Sequence, residues 1–245
     1  MPTRGNAQAI LVDEFIFNSE TSSIALSIDN SELDYTNVAS TAMEYQAGLG
    51  DWRITQNGYF VGGDADGMAD ELHDRLGVTG AQLGYIPDRT TNGNFAYVIP
   101  DAFNASLPIE AAATELITIS GEWATVAGGK RGKVVAYNAS ISGTGVGTPI
   151  DFGSAGSAGG TAYLFLHMID GDMSGTSTNT DIDVESCATE GGSYDSEGTF
   201  TTSATGGLSL ALTGTVNRWI QFNVTDMGGA SALTATLIVC ITSVT

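Results

Sequence analysis

The chain has 245 residues, and its 28 acidic residues against 8 basic ones give a formal net charge of −20. Such a charge repels polyanions and disfavours a protein that binds nucleic acid specifically. The 32 glycines and the scarcity of leucine-rich amphipathic runs argue against a helical bundle or a parallel α/β enzyme. No apolar run approaches the roughly 18 residues that span a bilayer, so we expect no membrane partner.

Alternation of apolar and polar residues at a period of two indicates half-buried strands along much of the chain. It runs through residues 24–29, 52–60, 116–120 and 134–137. One helix is predicted over residues 66–76. Acidic residues open that segment, Met68 and Leu72 share a face, and Gly77 supplies a stop signal. The sequence therefore predicts an all-β fold with one short flanking helix.

A glycine-rich basic stretch separates two strand-rich regions. Residues 127–132 have the sequence Ala-Gly-Gly-Lys-Arg-Gly, which is typical of a polar join. Strand-like segments then recur at a spacing that suits a β-sandwich, over residues 161–168, 180–187, 199–203, 208–212, 218–224 and 232–244. We therefore predict a first domain over residues 1–128, a connector over 129–133 and a second β-sandwich domain over 134–245.

Motifs for catalysis, cofactor binding and metal binding are incomplete. The segment around Ser157 has Ala155 where a nucleophile elbow needs its first glycine. The segment that ends at Lys133 lacks the first glycine and the final Ser or Thr of a phosphate-binding loop. The two histidines, His73 and His167, have no partner at metal-ligand spacing. We expect no enzyme activity, no cofactor and no metal site.

The two cysteines, Cys187 and Cys240, lie in strand-like segments. The sequence gives no distance between them, so a disulfide stays open as an alternative to two buried free thiols. Nothing in the sequence indicates an oxidising compartment, which favours the free thiols.

Several segments, taken in order, resemble the major tail tube proteins of siphovirus-type tailed phages and archaeal tailed viruses. Residues 33–52 resemble the part of that family in which a strand ends in Asp-x-Thr, a polar loop follows, and Gly-Leu-x-Asp leads into the next strand. Residues 149–164 are similar to a later part, where Pro-Ile-Asp-Phe-Gly precedes a Gly-Thr-Ala-Tyr-Leu strand. Residues 214–221 resemble the closing Gly-Thr-Val-x-Arg-Tyr-x-Arg strand, and they depart from it at Trp219 and Gln221.

The resemblance implies a tail-tube-type β-sandwich that assembles into hexameric rings, which stack into the tube through which viral DNA is ejected. The implied partners are further copies of this chain and other tail proteins, while DNA passes without specific binding. The implied location is the tail of the virion, after assembly in the host cytoplasm. The first domain would form the ring, and the second domain would lie toward the exterior of the tube. If both domains carried the tube fold, trimers that mimic hexamers would follow instead.

Two sets of residues are candidates for functional sites of such a tube, one in its lumen and one between its rings. The lumen should repel DNA, because a wall that bound phosphates would hold the genome in a salt-dependent way. The candidate lumen carboxylates are Asp29, Glu32, Asp34, Glu44 and Asp51. The candidate inter-ring loop contains Asn37, Ser40, Met43, Tyr45 and Gly48. Adaptation to a high-salt host is a competing explanation for the acidity, and it would acidify the outer surface as heavily as the lumen.

Two other functions remain open from the sequence. A capsid decoration or carbohydrate-binding β-sandwich is motivated by the second domain, where Tyr163, Tyr194 and Trp219 could form a binding face. A secreted acidic hydrolase would require carboxylate pairs that only the fold could assemble.

Overall fold

A computed structural model describes residues 7–34, 45–60, 67–111, 115–125, 128–153, 155, 162–171, 179–212 and 215–241, and for residues 31–34, 45–49, 170 and 171 it describes the backbone. These residues form seventeen strands and one helix. In chain order the elements are β1 (Ala9–Val12), β2 (Phe15–Ile16), β3 (Thr21–Asp34), β4 (Tyr45–Tyr59), α1 (Met68–Asp74), β5 (Ala81–Ile86), β6 (Phe95–Ser106), β7 (Ile109–Glu110), β8 (Thr118–Thr125), β9 (Lys130–Ile141), β10 (Gly145–Val146), β11 (Ile150–Asp151), β12 (Ala162–Gly171), β13 (Thr180–Cys187), β14 (Asp195–Thr202), β15 (Gly206–Leu212), β16 (Trp219–Met227) and β17 (Leu233–Ile241). The prediction of an all-β fold with one short helix is confirmed.

Local signals in the sequence account for the helix, whereas a distant residue caps its first turn. Strand-like alternation gives way to helix α1 where Met68 and Leu72 are both buried on one face. Gly67 has no side chain to cap the helix, and the carboxylate of Glu20 replaces the cap by accepting a hydrogen bond from the backbone N–H of Met68 at 2.8 Å. The helix ends at Asp74, two residues before its predicted end, and Gly77 follows with a φ of 71°, in the left-handed region that favours glycine.

The contacts divide the chain into two compact units that differ from the predicted domains. The large unit comprises residues 1–18, 81–98 and 130–245, and the small unit comprises residues 19–80 and 99–129. Residues 130–133, predicted as part of a connector, are the first residues of strand β9. The chain does change unit at residue 129, but the predicted first domain also supplies strands β1, β2, β5 and the start of β6 to the large unit.

The large unit is a β-sandwich. Its first sheet has the strand order β15-β12-β17-β9-β6-β5-β1-β2, and its second sheet has the order β10-β16-β13-β14 with β11 also paired to β16. Leu164 of β12 packs with Ile220 of β16 in the core between these sheets. The next residue, Phe165, packs with Leu11 of β1 in another core, because successive side chains of a strand point to opposite faces. Strand β12 is therefore buried on both faces.

The two cysteines lie in the large unit and are free. Cys187 and Cys240 are both buried, and neither forms a disulfide. Burial raises the pKa of the Cys240 thiol, so this thiol stays protonated at neutral pH.

The small unit is an antiparallel sheet covered on one face by helix α1. Strand β3 pairs with β4, β4 pairs with β8, and β8 pairs with β7 and with the second half of β6. A Cβ atom at Gly121 would overlap the side chain of Leu72, and one at Gly58 would overlap Met68 and the backbone of Glu20. These two glycines allow the helix to approach the sheet closely.

Candidate functional site

Strict alternation gives the sheet of the small unit one apolar face and one polar face. Ile54, Gln56 and Trp123 are buried on the side of helix α1. The opposite side, which we call the polar face, carries Ser23, Ala25, Ser27 and Asp29 of β3, Asp51, Arg53, Thr55 and Asn57 of β4, and Ser120 and Glu122 of β8. The members of this set are exposed or half-buried. The polar face has no large apolar side chain among these residues.

The register of the strands brings the charges of the polar face together. Asp29 lies directly opposite Asp51, and Ser27 lies opposite Arg53. Arg53 donates a hydrogen bond from Nε to Oδ2 of Asp51 at 2.9 Å and another from Nη1 to Oε1 of Glu122. Hydrogen bonds from Arg53 to Asp51 and Glu122 raise the pKa of Arg53. The one cation of the polar face is therefore held between two carboxylates.

Asp29 is the third carboxylate of the polar face. Its Oδ2 accepts a hydrogen bond from Oγ of Ser27 at 2.6 Å, and no cation is bonded to it in the described part of the chain. Two carboxylates directly opposite each other on neighbouring strands repel. The bond from Arg53 to Asp51 reduces the repulsion between Asp51 and Asp29. With three carboxylates and one guanidinium, the polar face still carries a net negative charge.

Hydroxyl and amide groups occupy the other end of the polar face. The side-chain amide of Asn57 donates to Oγ of Ser23 at 3.0 Å, and its oxygen accepts from Oγ of Ser120 at 2.7 Å. These bonds link all three strands across the sheet. The polar groups here are satisfied by one another, so this end of the face offers a neutral hydrophilic surface.

On the helix side of the sheet, the buried side-chain amide of Gln56 links neighbouring strands. Gln56 accepts a hydrogen bond from Nε1 of Trp123 at 3.1 Å and donates to Oγ1 of Thr21 at 2.8 Å. Asn104 extends the same kind of link, since it donates to the carbonyl of Leu72 at 2.8 Å and accepts from the backbone N–H of Glu122 at 3.1 Å. These bonds fix the relative positions of β4, β8 and helix α1 that the polar face depends on.

The structure brings together two of the five candidate lumen carboxylates. Asp29 and Asp51 are exposed register partners on the polar face. Glu32 and Asp34 continue strand β3 beyond Asp29, whereas Glu44 lies outside the described residues. Of the candidate inter-ring loop, Tyr45 and Gly48 lie in strand β4, while Asn37, Ser40 and Met43 lie outside the described residues.

Two residues of the polar face, Arg53 and Glu122, were not among the predicted site residues. The alternation of Ile119 and Trp123 with Ser120 and Glu122 could have placed Glu122 on an exposed face. What the sequence does not reveal is that β8 pairs with β4, which places Glu122 beside a residue 69 positions earlier.

Each Lys and Arg side chain in the described part of the chain has an anionic or aromatic partner. Arg53 contacts Asp51 and Glu122, Arg75 contacts Glu71, Arg218 contacts Asp151, Lys133 contacts the carbonyl of Asp151 and the ring of Phe152, and Lys130, Arg131 and Arg89 lie over the rings of Tyr163, Phe95 and Tyr137. Two hydrogen bonds of 2.6 Å from Arg218 hold the pKa of the Asp151 carboxyl well below its usual range. Cations that already have such partners are expected to bind phosphate groups only weakly.

The aromatic face considered for carbohydrate binding does not form as expected. Tyr163 lies in β12 of the first sheet of the large unit, stacked on Phe165 and below Lys130. Trp219 lies in β16 of the second sheet. The hydroxyl of Tyr194 is buried. These three side chains therefore do not line one sheet face.

The two histidines considered for metal binding belong to different units. His73 is exposed on helix α1, and His167 is fully buried in β12. Within the described ranges, no three His, Cys, Asp or Glu side chains are grouped so that they could hold a metal ion. The described helix is too short and polar to cross a membrane.

The chain resembles several solved tail structures at low identity. No protein-family model and no curated protein matches it. It is similar to a chain in the virion of a native gene transfer agent particle, with 13% identity and a TM-score of 0.42 over 52% of this chain and 97% of that one. The SPP1 tail tube protein has 12% sequence identity and a TM-score of 0.42, and the match covers 53% of this chain and 78% of that one. The SPP1 Dit protein, described as a hub of the adsorption apparatus, has 6% sequence identity and a TM-score of 0.35. That match covers 95% of this chain and 98% of that one.

Proposed function

We propose that the chain is a structural tail tube protein of a tailed virus or a related particle, and that it acts by assembly without enzymatic activity. Copies form hexameric rings, the rings stack into a tube in the virion tail, and DNA is ejected through the tube without specific binding. In this proposal the polar face of the small unit lines the lumen, and residues 134–245 lie toward the exterior. The observation that carries the proposal is the hydrophilic, net-acidic polar face, whose one cation is neutralised by Asp51 and Glu122.

The long hairpin of β3 and β4 suits a tube wall. These strands have 14 and 15 residues, which at the rise of an extended chain corresponds to about 45 Å. Along much of this length one side is polar and the other supports a core. A sheet that is hydrophilic on one side only can face an aqueous channel while remaining anchored to its own subunit.

The outer edge of strand β3 favours assembly with further copies. Within the described residues, β3 pairs with β4 and with no other strand. Its sequence contains no Lys and no Pro, the residues that commonly protect a free edge from pairing. A heterologous contact from one subunit to the next closes into a ring when the rotation permits, and a second such contact along the axis gives an open stack.

The distribution of charge also supports a channel in the small unit. The small unit contains 15 Asp and Glu residues against 2 Arg, whereas the larger one contains 13 against 6 Lys and Arg. Carboxylates repel phosphate at short range, and at physiological ionic strength the screening length is about 8 Å. A wall of this kind keeps DNA from adhering while it passes.

Electron microscopy of the purified full-length protein tests the assembly. We expect rings and stacked tubes with a continuous central channel. If the protein remains monomeric at high concentration across a range of salt concentrations, the proposed function is wrong. A protein that binds glycans and forms no tubes would instead favour the carbohydrate-binding alternative.

Charge reversal on the polar face tests the position of the lumen. The double variant Asp29→Lys, Glu122→Lys leaves one carboxylate beside three cations on this face, so tubes assembled with short duplex DNA should retain it, protected from nuclease, and release it as salt rises. The matched control is Glu190→Lys, Asp195→Lys, at two exposed positions of the large unit. Equal retention by both variants, or DNA that nuclease digests in the first, would contradict a lumen lined by the polar face and favour acidity as a general adaptation to salt.

A further inference from the structure

Half of the Lys and Arg residues of the large unit lie together in one cluster at its surface. We call it the cationic cluster, and it consists of Phe95, Arg131, Lys133, Asp151, Phe152 and Arg218. It carries three positive charges against one carboxylate, in a chain of net charge −20. Phe95 is 50% exposed, and Arg131 is exposed beside it. Positive charge concentrated in so acidic a chain marks a surface for an anionic partner.

Backbone pairing and hydrogen bonds hold the cationic cluster together. Phe95 of β6 is the register partner of Lys133 of β9, and the guanidinium of Arg131 lies 3.9 Å from the centroid of the Phe95 ring. Nζ of Lys133 donates to the carbonyl of Asp151 at 2.8 Å. The carboxylate of the same Asp151 accepts both bonds from Arg218. The three cations therefore belong to one connected arrangement.

Arg131 is the cation of this cluster that is least neutralised. Within the described ranges its partner is the ring of Phe95, and no carboxylate is bonded to it. A guanidinium that lies over a ring keeps its N–H donors in its own plane, where a carboxylate can accept two of them. Lys133 follows two residues later on the same side of β9, about 6.8 Å along the strand. The cluster therefore presents two cations at the repeat of an extended strand.

An acidic row with the same repeat lies on the second sheet of the large unit. We call Asp181, Asp183 and Glu185 of β13 the acidic row. They alternate with Ile182 and Val184, which are buried in the core, so the three carboxylates share the outer face of the sheet. Their spacing along the strand is about 6.8 Å, as for the two cations of β9. The two surfaces are complementary in charge and in spacing.

Hydroxyl and amide groups orient the acidic row without neutralising it. Oγ1 of Thr201 donates to Asp181 at 2.7 Å, and the side-chain amide of Asn223 donates to Glu185 at 2.8 Å. In the part of the chain that the structure describes, no Lys or Arg is bonded to a carboxylate of the row. The row is therefore an oriented set of acceptors that a cationic surface can neutralise.

The pairing of the strands decides which copy can supply the cations. Strand β9 is paired with β17 and β6, and β13 is paired with β14 and β16, so each is fixed within its own sheet. The cationic cluster therefore cannot move to the acidic row of its own copy. A second copy can place its acidic row against the cluster, and such a heterologous contact repeats from one subunit to the next.

We propose that the cationic cluster of each subunit docks on the acidic row of a second copy, with Arg131 paired to Asp183. The inference rests on the proposed tube function and names a contact between the large units of neighbouring subunits. An exposed ion pair is weak by itself. The contact therefore depends on several matched pairs in each subunit and on their repetition throughout the assembly.

A charge swap tests the pairing. Arg131→Glu and Asp183→Arg each place like charges in contact, so each should raise the protein concentration required for assembly about tenfold, measured by light scattering and electron microscopy. The double variant Arg131→Glu, Asp183→Arg restores opposite charges and should assemble within about threefold of the wild-type concentration. The matched control is Arg131→Glu, Glu190→Arg, which has the same net charge and an exposed change outside the row. It should stay as impaired as Arg131→Glu alone.

A cross-link identifies the partner while both charges are kept. Phe95 lies under Arg131, and Thr199 is the exposed register partner of Asp183. A short bismaleimide should join subunits of the double variant Phe95→Cys, Thr199→Cys into ladders in the assembled protein. Neither single variant should give ladders, since the native cysteines are buried.

The outcomes separate the docking inference from the tube function. Normal assembly of Arg131→Glu, no recovery in a charge swap that circular dichroism shows to be folded, or assembled protein without ladders would overturn the docking inference. Heparin binding by the wild type that Arg131→Glu abolishes would also overturn it, because the cluster would then serve a polyanion. Failure of the wild type to assemble would overturn the tube function itself.

Discussion

At the scale of single residues, one buried histidine makes the stability of the large unit depend on pH. His167 of strand β12 is fully buried, and its Nδ1 donates to the backbone carbonyl of Asp13 at 2.9 Å. Its Nε2 is also buried and has no hydrogen-bond partner, so the ring has one proton to donate and no group to accept a second. Burial lowers the pKa of His167 to about 4 from 6.5.

This histidine should make the large unit sensitive to acid. Between about pH 4 and the unfolded pKa near 6.5, the unfolded chain binds the proton and the folded chain does not, so the free energy of unfolding falls by about 1.4 kcal/mol per pH unit as pH decreases. From about pH 7 to about pH 4.5, urea unfolding should show that the wild type loses roughly 2–3 kcal/mol more than His167→Gln does. His73→Gln, at an exposed position, serves as control and should behave as the wild type. An identical pH dependence in His167→Gln and the wild type would contradict a neutral buried histidine.

At the scale of elements, the approach of helix α1 to the sheet depends on positions without side chains. A Cβ atom at Gly58 would overlap the carbonyl of Glu20 and the end of Met68. Met68 is flexible, but the carbonyl of Glu20 accepts a hydrogen bond from Tyr59 and cannot move without breaking it. A side chain at position 58 would therefore displace Met68 and break the hydrogen bond between Tyr59 and Glu20.

Gly58→Ala should destabilise the protein by about 1–3 kcal/mol, because the added methyl group overpacks this contact. Denaturant unfolding should show a lower midpoint for this variant. Gly143→Ala, at an exposed loop glycine with no atom near its Cβ position, should leave the midpoint almost unchanged. Equal midpoints for the two variants would show that the helix can shift away from the sheet at little cost.

At the scale of the whole molecule, the early part of the chain is divided between two units. Leu11 of β1 and Ile86 of β5 pack with Phe165 and Ile238 in a core of the large unit. Residues 1–129 taken alone would lose the last two of these partners. The predicted first domain therefore includes apolar side chains whose partners lie in the second half of the chain.

A fragment of residues 1–129 should consequently fail to fold into a stable monomer or a ring. Exposure of strands β1 and β5, fully buried in the intact chain, should lead to aggregation. Circular dichroism and size-exclusion chromatography, with the full-length protein as reference, measure this directly. A soluble fragment with cooperative unfolding would show that residues 1–128 are a domain in their own right, as the sequence predicts.

The sequence by itself determined the elements whose signals are local. Period-two alternation located strands β3, β4, β8 and β9, and the apolar spacing of Met68 and Leu72 with a terminal glycine located helix α1. It also placed Asp29 and Asp51 among the candidate site residues, because they are carboxylates in or directly beside the alternating segments 24–29 and 52–60. Each of these features depends on residues only a few positions apart, which is why a sequence can reveal it.

Only the tertiary structure decided which strands pair and how the chain divides into units. Arg53 meets Glu122 because β4 lies beside β8, and Leu11 meets Phe165 because the start of the chain joins a core completed by its second half. Strand pairing is a contact between distant segments, and many strands of similar pattern could satisfy the same alternation. The sequence therefore provided two of the charged residues of the polar face, Asp29 and Asp51, whereas the contact of Arg53 with Glu122 follows from the long-range pairing of β4 with β8.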